Sequence, residues 1–177
     1  MLWFDATTRD IVEPTVVRLA DVPTLATLIE APQSFDARVR LLTEIGSRPE
    51  KEAQGLLIEA AIVPDTLPAA LAAARRAAPP AELLFSALAH PRADVRVAAA
   101  LLLGEDADPE ITVKLVALAR ECPNRSEPWI ALLPRTDAES RMIVEEARQD
   151  PQIMASVTLA EATRQLILHP VQVGVRL

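Results

Sequence analysis

The chain has 177 residues and a mass of 19.2 kDa, enough for one domain with a substantial core and short for two. Half of the residues are hydrophobic, only 3% are aromatic and none is tyrosine; the mean hydropathy of +0.19 argues against intrinsic disorder. Eighteen basic residues face 25 acidic ones for a net charge of −7, so neither nucleic acid nor an anionic membrane is an expected partner.

Residues 1–20 read as an N-terminal cap segment in which Trp3-Phe4 and Val16-Val17 are the candidates for extended structure. The opening residues lack the basic and apolar regions of a signal peptide. No apolar run approaches the roughly 18 residues of a membrane span, and a soluble cytoplasmic protein is expected. Asp21-Val22-Pro23 opens a first helix to Ala31, with Asp21 as its N-cap. Ser34 caps a second over Phe35 to Ile45, where Gly46 is the expected left-handed stop. A third follows Ser47 and Pro49, with Leu56, Leu57, Ala60 and Ala61 on neighbouring turns. Thr66 to Ala78 is alanine-rich and ends at Pro79-Pro80, which cannot continue a helix.

The second half uses the same punctuation. Ala81 to Ala89 ends at His90-Pro91, and Arg92 to Leu103 ends at Gly104. Asp108-Pro109 pairs an N-cap with proline at the first helical position and starts a helix to about Glu121. A short helical turn spans Trp129 to Leu133, and Thr136 with Glu139 forms a capping box for a helix to about Gln149. Asp150-Pro151 opens the last helix, which runs to Leu168. Residues 169–177 alternate weakly and read as an extended tail or short strand. The fold class is all-α, with about nine or ten helices in antiparallel pairs within a single domain.

One stretch has a family likeness. Within His90 to Gly104, the residues Pro91, Asp94, Val95, Arg96, Ala99, Leu103 and Gly104 fit a recognisable pattern. It resembles the second helix of a HEAT repeat, close to the short form found in phycobilisome-lyase-like proteins. Asp36, Arg38, Leu41, Ile45 and Gly46 keep corresponding places, as do Asp137, Arg141, Val144 and Ala147. The resemblance implies a short right-handed α-solenoid with about four helix pairs over residues 22–149, a terminal helix over 151–168 and the tail beyond. Ala98, Ala99 and Ala100 suit the seam between neighbouring repeats. By the same resemblance, Asp36, Arg38, Asp94, Arg96, Asp137 and Arg141 form a structural ladder tying one inter-helix turn to the next.

No catalytic, cofactor-binding or metal-ligating residue is assigned. The four glycines, at 46, 55, 104 and 174, make no phosphate loop. His90 and His169 each precede a proline at a helix end without the spaced partners of a zinc site. Cys122 is the single cysteine, which precludes an intramolecular disulfide, and its place at a helix C-terminus does not favour a thiolate. The expected function is therefore a non-enzymatic protein–protein interaction module, such as an adaptor, scaffold or regulatory subunit. The alternative implied by the resemblance is a bilin-lyase-type enzyme, or a subunit of one, that attaches a tetrapyrrole to a client protein. Scarce aromatics weigh against it.

In HEAT-like solenoids the second helix of each pair lines the concave side. By that resemblance the residues facing a protein partner are Arg40, Glu44, Arg75, Arg76, Arg92 and Arg148. Five of these six are cationic, which fits an acidic segment of the partner. Trp129, in the proline-flanked stretch 127–130, and the N-terminal Trp3 and Phe4 either cap exposed ends of the core or anchor a partner. Self-association through surplus apolar surface is also open.

Overall fold

Asp21 sets the pattern for how the helices begin: its carboxylate accepts from the Thr24 amide at 3.0 Å, just ahead of Pro23 in the first turn. In the computed structural model, residues 20–31, 34–77 and 81–169 are described, and the regular elements among them are ten α-helices and no strand. These are α1 (Val22–Glu30), α2 (Phe35–Gly46), α3 (Lys51–Ile62), α4 (Leu67–Ala77) and α5 (Ala81–Ala87) in the first half. The second half holds α6 (Ala93–Glu105), α7 (Pro109–Glu121), α8 (Glu127–Leu132), α9 (Ala138–Gln149) and α10 (Met154–Leu168). The candidate strands at Trp3-Phe4, Val16-Val17 and the tail lie outside the described residues.

Local signals hold at three starts, those capped by Asp21, Ser34 and Asp108. Ser34 caps α2 through the Ala37 amide at 3.3 Å, and Asp108 caps α7 through the Glu110 amide at 2.9 Å. Two starts shift. α9 is capped by Asp137 rather than Thr136, because the Asp137 carboxylate accepts from both the amide and the hydroxyl of Ser140 at 2.8 Å. Asp150 turns the chain through the Gln152 amide, and α10 begins only at Met154.

Packing follows the alternation of helices along the chain. α2 packs on α4, α4 on α6, α6 on α8 and α8 on α10, which makes the even-numbered helices one continuous layer. On the other side α1 packs on α3 and α7 on α9, while short α5 rests on α6. Sequence neighbours such as α3 and α4, or α9 and α10, cross between the layers. Alanine makes the close approach possible: Ala69, Ala70, Ala73 and Ala74 of α4 are all buried. Six successive residues of α6, Ala98 to Leu103, are buried as well, so this helix is apolar on every side and central to the core.

Two glycines act differently from the sequence expectation. Gly46 and Gly104 lie inside their helices rather than as left-handed stops beyond them. At Gly104 an added Cβ would sit 2.8 Å from the Pro134 ring and 3.1 Å from the Ala131 carbonyl oxygen, so glycine is what lets α6 approach α8. Gly55 meets nothing within 4 Å. Gly55→Ala should therefore stabilise by roughly 0.5–1 kcal/mol, the helix-propensity gain alone. For Gly104→Ala the clash outweighs that gain, and a net loss of about 1–2 kcal/mol is expected. Urea midpoints that move in the same direction for both variants would contradict this account.

Arginine supplies the links between turns. Arg96 donates to the carbonyls of His90 and Pro91 at 3.0 Å and to the Glu127 carboxylate at 2.5 Å. Arg125 joins the same carboxylate and reaches the Leu88 carbonyl. Arg48 donates to the Ala20 carbonyl at 2.7 Å, Arg38 to Asp65 at 3.3 Å and Arg164 to Ile130 at 3.1 Å. The planar guanidinium, with five donors, suits the unpaired carbonyls where helices end. Arg141 is not part of this set; it lies exposed on α9, and buried Arg135 takes the corresponding place. Asp36 and Asp94 are exposed, in the first turns of α2 and α6.

Glu127 is the buried carboxylate of this network, 6% exposed. Burial alone raises its carboxyl, but Arg96, its own amide and Arg125 outweigh that and hold it below the ordinary value of 4.5. A folded value below the unfolded one contributes stability that is present above pH 4.5 and lost as pH falls through the folded value. Glu127→Gln should weaken the protein at neutral pH and remove this part of its acid sensitivity. Superimposable acid limbs in plots of denaturation midpoint against pH would count against the network.

Candidate functional site

Side by side in the even-numbered layer, α4 and α6 repeat the same four-residue rhythm, Leu67, Leu71 and Arg75 on one and Ala93, Val97 and Leu101 on the other. A spacing of four keeps each set on one helix face. Between these faces opens a groove of about 690 Å³, within the size range of ligand pockets. The C-terminal end of α10 adds Leu166, Ile167 and Leu168, and Phe35 enters from the start of α2. Two of these apolar side chains remain open to solvent, Phe35 at 56% and Leu166 at 68%.

Arg75 and Asp94 are the charged groups among the described lining residues, and both are partnered. Arg75 of α4 pairs with Glu105 of α6, whose side chain is largely buried. Asp94 pairs with Arg92 at 2.6 Å, and that guanidinium holds the carboxyl below its ordinary value. What the groove offers is aliphatic surface.

The sequence-derived partner residues do not converge on it. Arg40 and Glu44 lie on α2, and Arg76 is exposed on α4, but these three do not line the groove. Arg148 is on α9, which packs on α7 in the opposite layer, and it pairs with Glu161 of α10 at 2.6 Å and Glu145 at 3.6 Å. The fourth concave helix anticipated over 137–148 is thus displaced; α8 and then α10 continue the layer. Carboxylates neutralise Arg75, Arg92 and Arg148 where a cationic row was expected.

Of the two readings of Trp129, core cap and partner anchor, its burial favours the first. It is 1% exposed, with its indole nitrogen donating to the Pro123 carbonyl at 3.2 Å, so it belongs to the core and presents no surface to a partner. Leu71 and Leu101 form the buried floor of the groove, while half-buried Val97 and exposed Leu166, which sequence reasoning did not single out, are apolar positions beyond one buried stripe.

Other chemistry in the described residues is sparse. A second cavity of about 330 Å³ lies between α1 and α3, where Arg38 has its Nε buried without an acceptor among Glu30, Glu59 and Asp65. His90 accepts from the Arg92 amide through Nδ1 at 3.2 Å, and Cys122 is a free, half-buried thiol at the end of α7. Among the described residues no three His, Cys, Asp or Glu side chains cluster as a metal site, and no helix is long and apolar enough to cross a membrane. Comparison with known proteins finds no match: no family model, no curated protein and no solved structure is similar to the chain.

Proposed function

We propose that this chain is a protein-interaction module, a short HEAT-like α-solenoid that holds an apolar segment of a partner protein in the α4–α6 groove. The observation behind this reading is the groove itself, about 690 Å³ of mostly aliphatic lining with Phe35 and Leu166 left open at its edge. Apolar surface of that kind is uncommon on a chain with no use for it. The layered contacts support the solenoid part, since each even-numbered helix touches the next and cross-layer contacts mostly join sequence neighbours. Such stacking creates an extended binding face without any catalytic constellation. An adaptor, a scaffold and a regulatory subunit all use it in the same way.

Affinity purification of the full chain from its native organism, followed by groove variants, tests the reading. One stoichiometric protein should be recovered and should stay bound at high salt. Ala72→Glu, which sets a charge in the groove, should weaken that complex by about 100-fold or more, since an unpaired charge buried in an interface costs several kcal/mol. Arg40→Glu with Arg76→Glu should change affinity only slightly. A salt-sensitive complex, lost on reversing the arginines and indifferent to Ala72→Glu, would sink the groove reading and restore the cationic face.

A further inference from the structure

The last helix has an apolar strip on its open side. Ser156, Val157 and Ala160 of α10 are buried, while Ala155, Leu159, Ala162 and Leu166 are exposed, Leu159 at 58% and Leu166 at 68%. Successive spacings of four, three and four set these residues in one line along the helix, the a/d rhythm of a coiled-coil seam. α10 packs on α8 and α9 with its buried side, and the strip is left to solvent. Its flanks are uncharged, with Thr163 on one side and Thr158 and Gln165 on the other. The two charged side chains of α10 are used elsewhere: Glu161 pairs with Arg148, and Arg164 donates to the Ile130 carbonyl. On a chain of net charge −7, a neutral strip is where two copies can approach without like-charge repulsion.

The order of large and small residues along the strip is self-complementary. When two such helices run antiparallel about a twofold axis through the middle of the strip, position 155 faces 166 and position 159 faces 162. Every layer then sets a leucine against an alanine, so the helices approach closely and evenly. A parallel pair would stack leucine on leucine and leave gaps at the alanines. We propose that α10 packs antiparallel on α10 of a second copy, in an isologous dimer with Leu159 and Leu166 seated at the alanines of the facing helix. The contact runs the length of α10, about 22 Å, and Phe35, which lines the same groove as Leu166 and is 56% exposed, adds to it at each end. Such an area is at the low end for specific interfaces, so the dimer is weak, with a Kd on the order of 10 µM. The inference stands on α10 and does not depend on what the groove binds. Phe35 and Leu166 belong to both surfaces, so a groove ligand and a second copy compete for them.

Sedimentation equilibrium of the full chain from about 1 to 500 µM, spanning that Kd, should show a passage from monomer to dimer. Leu159→Glu, at an exposed site, should keep the helical circular dichroism of the parent and weaken association by about 100-fold or more, because the dimer would bury two unpaired carboxylates. Disulfide trapping in a Cys122→Ser background reads the direction of the helices. In an equimolar mixture of Ala155→Cys and Leu166→Cys chains, the antiparallel dimer brings unlike positions within the 7 Å or so that a bridge requires. Like positions stay roughly 16 Å apart along the helix axis. Mixed disulfides, distinguished by mass, should therefore exceed like ones by about tenfold. A chain that stays monomeric to about 500 µM would overturn the proposal, whatever else covers the strip. A dimer indifferent to Leu159→Glu, or one that links like positions, would overturn it as well.

Discussion

Trp129→Ala should lower stability by about 3–5 kcal/mol, the range for emptying a large aromatic site in a well-packed core. α8 holds only six residues, Glu127 to Leu132, and every one is buried. So short a helix has little stability of its own and depends on tertiary packing. α6, α7, α9 and α10 all pack on it, and Trp129 is its largest side chain. Removing the indole takes packing from that junction and leaves the Pro123 carbonyl without its donor. In a chain of this size the loss corresponds to roughly 6–20 °C in melting temperature. Trp129→Phe keeps most of the ring and loses the hydrogen bond, for about 1–2 kcal/mol. A Trp129→Ala protein within 1 kcal/mol of wild type that fails to bind its partner would instead support the partner-anchor alternative.

The contrast between Trp129 and the helix caps shows what was legible in the sequence. Asp21, Ser34 and Asp108 act on amides two or three residues away, so the sequence contains both partners of each bond. The burial of Trp129 depends on four other helices, and its flanking prolines resemble an interruption when read alone. The glycines failed for a related reason. A helix stop and a close helix approach leave the same letter, and only Pro134 and Ala131, brought in by α8 and the turn after it, identify the second at Gly104.

Electrostatics was the least legible level. The helix faces carrying Arg75 and Arg148 were recognisable, but Glu105 lies 30 residues from the first and Glu161 lies 13 from the second. Once Arg75 pairs with Glu105, the groove between α4 and α6 offers mainly aliphatic side chains. Arg96 does link turns, as read from its sequence context, and its acceptors at His90 and Pro91 lie within six residues of it. Extending the same spacing to α9 selected Arg141, which faces solvent, and passed over Arg135 in the preceding turn.

Arg135→Ala is the second large expected loss, about 3–5 kcal/mol, typical of breaking a buried charged network by removing one partner. Its side chain is 4% exposed. Nε donates to the Thr112 hydroxyl at 2.7 Å, while NH1 reaches the carbonyls of Leu103 at 3.1 Å and Asp106 at 2.6 Å. NH2 donates to the Asp108 carbonyl at 2.7 Å, and Asp137 balances the charge from 3.7 Å. One guanidinium therefore fastens the end of α6 and the start of α7 to the turn before α9. Alanine leaves three carbonyls and a hydroxyl to find other donors in a region mostly closed to water. Arg135→Lys keeps the charge but replaces a planar fork with a point donor, so it should recover only part of the loss and still fall about 2 kcal/mol short of wild type. Arg141→Ala, six residues on and exposed, should stay within about ±0.5 kcal/mol. Amide exchange should also quicken over residues 103–108, the end of α6 and the loop after it, in the Arg135→Ala variant before the rest of the chain, because that segment loses its anchor first. Equal denaturation midpoints for Arg135→Ala and Arg141→Ala would show that the carbonyl contacts contribute nothing, and the account of arginine as the link between turns would fall with them.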